Sequence, residues 1–333
     1  MTLIFWSIPL IFLVTCGAVN AVGLGDDCHN NAVPPVICDP GLLCEDFVCV
    51  LDKKSCLFTH HLDQELFGQL PTCNPDDGTF AAKQCKGDFI TGRCFCYSEV
   101  GERIFGWDWW RNAEEMTCAC SRKRHSLEKA GRHDVTLHCQ QNGNYEELQC
   151  DEGACWCADP ATGFIIEDTI AVPQHLWTLL PCYNTSFYGT QYLRQCDSAA
   201  HAQNLIRDAF SKRGTSQISF TNIQCHYDGT YGTFAFVENQ AVCTWRDGSR
   251  LGGFASQTNQ ANQMDCNCAR DQRIFSDNGL TFPLQCMGNG NYANLQDLNG
   301  QIFCVDRDGF VVSDFYPPDT ETVDCTKHLY YMQ

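Results

Sequence analysis

Cysteine is what most constrains this chain: 25 of its 333 residues are cysteine. A zinc-binding protein of that composition would carry C-x-x-C pairs, and the sequence contains none. It carries C-x-C four times instead, at Cys94/Cys96, Cys118/Cys120, Cys155/Cys157 and Cys266/Cys268. Sulfurs spaced that closely do not easily hold one ion tetrahedrally, so the cysteines read as disulfides. Met1 to Ala21 has an apolar core from Leu3 to Val14 and then small residues, with Val19-Asn20-Ala21 fitting a signal-peptidase site. A secretory signal peptide is therefore expected over residues 1–21. Its removal takes Cys16 and leaves 24 cysteines, an even number that suits twelve bridges, no spare thiol and an extracellular location. With 22 Lys+Arg against 40 Asp+Glu the net charge is −18, which sets the chain against phosphate backbones and anionic membrane surfaces. No nucleic-acid partner and no membrane insertion are expected, because no later stretch has the length of a bilayer span.

The cysteines repeat. In the most regular segment Cys139 is followed by Gly143, Tyr145, Gln149, Cys150, Cys155-Trp156-Cys157, Gly163 and Cys182. An earlier segment reads Cys73, Gly78, Phe80, Gln84-Cys85, Cys94-Phe95-Cys96, Gly101, Cys118. Two later ones read Cys225, Gly229, Tyr231, Cys243, Gly248, Cys266 and Cys286, Gly290, Tyr292, Gln296, Cys304, Gly309, Cys325. Where the second segment has Cys150 and Cys155, the third has Phe236 and Ala241 and the fourth Asp297 and Ile302. Both cysteines are absent together, twice. Losing one alone would leave a reactive thiol, so joint absence implies that these two positions are bonded to each other.

This order of Cys-x-x-x-Gly-x-Tyr, Gln-Cys, Cys-Trp-Cys and Gly resembles the thyroglobulin type-1 family. The resemblance implies small disulfide-rich α+β modules in tandem, each with a short helix and a small antiparallel β-sheet. The expected organisation is a cysteine-rich N-terminal module at 22–52, repeats at 53–118 and 119–182, and degenerate repeats at 193–266 and 267–325. It also implies in-order pairing: Cys56 to Cys73, Cys85 to Cys94, Cys96 to Cys118, Cys120 to Cys139, Cys150 to Cys155 and Cys157 to Cys182. In the degenerate repeats it gives Cys196 to Cys225, Cys243 to Cys266, Cys268 to Cys286 and Cys304 to Cys325. Cys28, Cys38, Cys44 and Cys49 stand apart, with three connectivities open. Units this small cannot bury a sufficient core, and bridges of about 3 kcal/mol each compensate. The glycine two residues before each aromatic suits a tight turn, with the aromatic packing on the disulfide. His125–Ala130 and His201–Phe210 read as helix, the latter with Ala202, Leu205, Ile206, Ala209 and Phe210 on one face.

No catalytic or metal-binding motif is present, so the chain is not expected to be an enzyme or to carry a cofactor or metal. Asp306-Arg307-Asp308-Gly309 lacks the spacing of a calcium loop and reads as a turn. His60-His61 reads as exposed polar residues. Arg122-Lys123-Arg124 and Lys212-Arg213 lie between the first two cysteines of their repeats, so cleavage there would nick the chain without releasing a fragment. Asn184-Thr185-Ser186 offers a glycosylation site at Asn184.

Function is then expected from binding surfaces. The family includes inhibitors of papain-like cysteine proteases, wedges whose three loops enter the active-site cleft. Carried over, the first loop is Gly68-Gln69-Leu70-Pro71-Thr72 or Asp134-Val135-Thr136-Leu137-His138. The second is Lys86 to Arg93 or Asp151-Glu152-Gly153-Ala154, and the third is Glu99 to Glu102 or Pro160 to Gly163. The competing expectation is an extracellular matrix or ligand-binding scaffold, since the same module serves proteins that inhibit nothing.

Overall fold

The computed structural model describes residues 20–29, 35–63, 70–132, 134–215, 223–320 and 322–326. Most of the expected signal peptide, including Cys16, lies outside the described residues; Asn20–Val22 pairs in parallel with Val36–Cys38. The protein is a string of small disulfide-rich units with short helices and small antiparallel sheets. The helices are α1 (Cys56–Asp63), α2 (Ala119–Lys129), α3 (Thr185–Tyr188), α4 (Gln195–Lys212) and α5 (Asn267–Asp277).

Each unit is assembled alike. A helix carries the first cysteine, which bonds forward: Cys56–Cys73, Cys120–Cys139, Cys196–Cys225 and Cys268–Cys286. The second cysteine pairs across a tight turn with the aromatic: Cys73 with Phe80, Cys139 with Tyr145, Cys225 with Tyr231 and Cys286 with Tyr292. A hairpin follows. Its strands are Lys83–Lys86 and Arg93–Tyr97, Leu148–Asp151 and Ala154–Cys157, Phe234–Val237 and Gln240–Thr244, and Leu295–Leu298 and Gln301–Cys304. The last bridge closes each unit at Cys96–Cys118, Cys157–Cys182, Cys243–Cys266 and Cys304–Cys325. The aromatic packs twice over: Tyr145 clusters with Cys120 and Cys139, and a Cβ on Gly163, whose φ is +77°, would stand 2.4 Å from the Tyr145 ring.

The middle bridge is present at Cys85–Cys94 and Cys150–Cys155. These are directly opposed cross-strand residues, and the same opposed pairs in the later units are Phe236 with Ala241 and Asp297 with Ile302. In the third unit Phe236 packs with Phe234 and Trp245 against a cluster containing Ala241 and Cys243. The N-terminal module, whose connectivity was open, is bonded Cys28–Cys44 and Cys38–Cys49. The close approach of sulfurs from Cys28, Cys38 and Cys49 comes from these two neighbouring bridges.

Units one and two are joined as units three and four are. Cys118 and Cys266 both adopt the left-handed conformation just before α2 and α5. Asn144 Oδ1 accepts from the Cys118 backbone N–H and Asn291 Oδ1 from that of Cys266, each at 3.3 Å. Gly143 and Gly290 must lack a Cβ, since either would stand 2.4 Å from Sγ of Cys96 or Cys243 in the preceding unit. Arg122 donates to the carbonyls of Phe80 and Tyr97, and Arg270 to those of Tyr231 and Thr244. Between units two and three the chain instead runs through a tyrosine-rich connector.

The two pairs dock side by side. Arg93 forms a bidentate buried ion pair with Asp271, both bonds 2.7 Å, so unit one meets unit four. Lys86 Nζ lies 2.6 Å from Asp306 and 2.7 Å from Asp308. The Asp306–Gly309 turn thus holds a lysine. Unit two meets unit three: Cys139 donates its N–H to the Tyr227 carbonyl at 2.9 Å, and the Arg124 guanidinium lies 4.6 Å from the Tyr227 ring centre. His226, packed on Phe105 at 5.4 Å, is held at a pKa of about 3 by burial first and by Arg270 next.

Candidate functional site

The hairpin tips of the first two units are built on one frame and finished differently. In unit one, Gln84 fixes the chain before the second cysteine: Thr72 N–H donates to Oε1 at 2.7 Å and Nε2 returns a bond to the Thr72 carbonyl. Gln149 does the same for His138, and Gln296 for Gln285. This stretch runs antiparallel to the chain entering the hairpin, so the first loop rises toward the end that carries the second. The structure therefore brings first and second loops together. Gly68 and Gln69 lie outside the described residues; Leu70 and Thr72 are exposed and Pro71 is half-buried.

The second loop of unit one is a protruding tip. Between Gly87 and Gly92 the Asp88 carboxylate accepts the backbone N–H groups of Ile90 at 2.8 Å and Thr91 at 2.9 Å. The Thr91 hydroxyl, which also donates to Asp88, and then these two backbone bonds hold the Asp88 carboxyl below its usual range. The turn thus satisfied pushes two large apolar side chains outward, Phe89 at 62% and Ile90 at 69% exposure. The base is fixed from both sides, by the Cys85–Cys94 bridge and by Lys86 and Arg93, whose ion pairs with unit four are given above. Among the expected loops, this one joins apolar exposure to a rigid base.

In unit two the corresponding edge is covered. Asp134 is exposed, but Val135, Leu137 and His138 are buried. The His138 ring stacks on Tyr192 of the connector with centres 4.5 Å apart, and its Nε2 lies 2.9 Å from Asp197 on α4. The Tyr192 hydroxyl donates to the Thr136 carbonyl at 2.9 Å. Glu146, below this ring, has its pKa raised by burial, against the pull of Arg194. The first loop of unit two is thus a docking surface within the molecule, a role its spacing gave no sign of. Its second loop is a two-residue turn, Glu152 and Gly153 both at positive φ as such a hairpin requires. Arg132 binds Asp151 and Glu152 and reaches Asp134 at 3.2 Å, so the tip is small, acidic and tied down.

The third loops lie elsewhere. In unit one the chain turns at Gly87–Gly92 and again at Ser98–Glu102 before the strand Arg103–Trp109, at opposite ends of Arg93–Tyr97. Five residues at about 3.3 Å each put those ends about 15 Å apart. The stretch Glu99–Glu102 is therefore away from that edge, and what returns to it is the end of Arg103–Trp109 with the turn Trp110–Asn112, whose Trp110 N–H donates to the Gly92 carbonyl at 2.9 Å. Beyond the third loop of unit two stand Phe164 at 76% and Ile170 at 72% exposure, also at the far end.

Other expected sites fall as follows. Asn184 is exposed, with its Oδ1 capping α3 through the Ser186 N–H at 2.9 Å. Arg124 is buried and Arg122 engaged, whereas Lys212 and Arg213 are exposed. The side chains of His60 and His61 lie outside the described residues. The signal that would have singled out the unit-one tip is Asp88-Phe89-Ile90-Thr91, two large apolar residues inside a glycine-bounded loop of an acidic chain.

A family model for the thyroglobulin type-1 repeat matches residues 50–118 and again 118–176. None of the curated proteins matches the chain. The third and fourth units, outside the matched residues, keep the first and last bridges of the matched pair and lack its middle one. Together with the disulfides, such repeats point to an extracellular interaction protein, and no helix among the described residues is long and apolar enough to cross a membrane.

Proposed function

We propose, from the match of residues 50–176 to the thyroglobulin type-1 repeat, that the chain is a secreted inhibitor of papain-like cysteine proteases. It occludes the active-site cleft with the tip of its first unit. The observation that carries this is the exposed Phe89–Ile90 pair on a loop already ordered by Asp88 and the Cys85–Cys94 bridge. A pre-ordered loop loses little entropy on entering a cleft, and an apolar side chain buried there contributes about 1.5–3 kcal/mol. Units three and four are read as degenerate repeats that brace the first two.

Inhibition is competitive in this account, with no bond made or broken in the protease. The test is titration of papain and a cathepsin L-type enzyme with the mature chain and with Phe89→Asp/Ile90→Asp. Tight inhibition lost in the double variant supports the reading; no inhibition by the intact, fully oxidised chain rejects it. One observation favours a second reading: the edge of unit two is spent on docking unit three. Repeats in a scaffold protein would be used in that way. Under this reading the tip binds an extracellular protein other than a protease.

A further inference from the structure

The helix α4 differs from its counterparts in what holds it. Cys196 is its buried residue. Contacts of its first turn anchor it: the bridge to Cys225, and Asp197 to His138 at 2.9 Å. Beyond that turn the helix is largely exposed, including the apolar face expected to be buried, with Leu205 at 56% and Phe210 at 40% exposure. A neighbouring, mostly polar face of α4 helps to wall a central cavity of about 1260 Å³ shared by all four units, lined by His201, Asn204 and Leu205 from α4 and by Trp107, Trp109 and Trp245 from units one and three.

The C-terminal end of α4 carries the second basic run. Gly214, at φ +81°, stops the helix: its N–H bonds the Ser211 carbonyl and the Thr215 N–H bonds the Phe210 carbonyl, both 3.0 Å. α2 and α5 stop in the same way at Gly131 and Gly279, but the residues before those glycines are Lys129-Ala130 and Asp277-Asn278. α4 ends in Lys212-Arg213, both exposed, on a terminus held by solvent-facing bonds of the kind that open most readily. The other basic runs differ: Arg124 is buried in α2, and Lys53-Lys54 precedes Ser55 and Cys56, both buried.

We propose that the Arg213–Gly214 peptide bond is a processing site for an extracellular serine endoprotease that selects paired basic residues, and that the nick opens the central cavity by freeing one end of α4. Water adds across the C–N bond, its hydroxyl going to the Arg213 carbonyl carbon and its proton to the Gly214 nitrogen. Because the cut falls inside the Cys196–Cys225 loop, the longest of the twelve by sequence separation at 29 residues, both pieces stay covalently joined. The cut removes the covalent tie at the C-terminal end of α4 and leaves it held by the Cys196–Cys225 bridge and the Asp197–His138 contact. This inference is independent of what the first unit binds.

The test is limited digestion of the oxidised mature chain with trypsin and with a dibasic-specific endoprotease, followed by fragment sequencing and tryptophan fluorescence. The expected first product runs as one species without reductant and as two with it, a new N-terminus begins Gly214-Thr215, and emission shifts to the red as the cavity tryptophans gain water. Lys212→Gln/Arg213→Gln, checked by circular dichroism to be folded, removes that first cut. A first cut after Lys54 or within α2 overturns the assignment of the site. An unchanged emission in the nicked chain overturns the opening.

Discussion

The hairpin tips of units one and two share a glutamine clamp, a middle disulfide and a closing disulfide, yet one projects two apolar side chains and the other is a tethered acidic turn. The difference arises from two features. Cys94 lies nine positions after Cys85, whereas Cys155 lies five after Cys150, so only the first hairpin has chain to spare for a projecting loop. The connector after unit two then folds back and lays Tyr192 over His138, whereas unit one is gripped by unit four at the base of its tip. A shared cysteine frame fixes where a loop stands, and the neighbouring units decide whether it is free to bind.

The comparison breaks most forcefully at the base of the unit-one tip. Arg93→Ala leaves Asp271 buried without its partner and should cost about 3–5 kcal/mol, read as a fall in the denaturant midpoint. A loss under 1 kcal/mol would mean that units one and four do not dock as described. Acid acts with similar force at His226, which lines the same cavity as Arg93. His226 titrates near 3 when folded and about 6.5 when unfolded, so its contribution is complete above pH 6.5 and is lost as pH falls from 6.5 toward 3. The full loss is on the order of 5 kcal/mol, and His226→Gln should flatten the stability profile over that window.

Tyr192→Ala should make the edge of unit two resemble that of unit one. Removing the buried ring costs about 3 kcal/mol, and hydrogen exchange should quicken at Thr136 and His138 while remaining slow at Thr72. Phe89→Ala should weaken protease binding about tenfold to a hundredfold, against less than twofold for Glu152→Ala on the tethered tip. Removing the middle bridge by Cys150→Ala/Cys155→Ala should cost about 2 kcal/mol of stability for so short a loop. In unit three the partial burial of Phe236 against the cluster containing Ala241 offsets part of that loss.

Much of the fold was legible because cysteine spacing is a covalent constraint with few solutions. The joint absence of cysteines at Phe236/Ala241 and Asp297/Ile302 marks positions that the structure places directly opposite each other. The turn glycines and their aromatics were legible for the same reason, as local chemistry within one unit. The docking of the units was not. Arg93 finds Asp271 across 178 residues of sequence, and no periodicity or spacing encodes such a pair. His138 looked like a loop residue because the tyrosine that covers it belongs to a segment with no cysteine pattern. The third loop was misplaced on topology: consecutive turns of an antiparallel meander point in opposite directions, so Glu99–Glu102 leaves the edge and the turn after the next strand, Trp110–Asn112, returns to it.

The most direct measurement is the inhibition constant of the oxidised mature chain against a cathepsin L-type protease, set beside Phe89→Asp/Ile90→Asp and Glu152→Ala. The account predicts tight inhibition by the parent, a loss of a hundredfold or more in the double variant and almost none in Glu152→Ala. Inhibition that survives the loss of Phe89 and Ile90, or that disappears with Glu152, would contradict it.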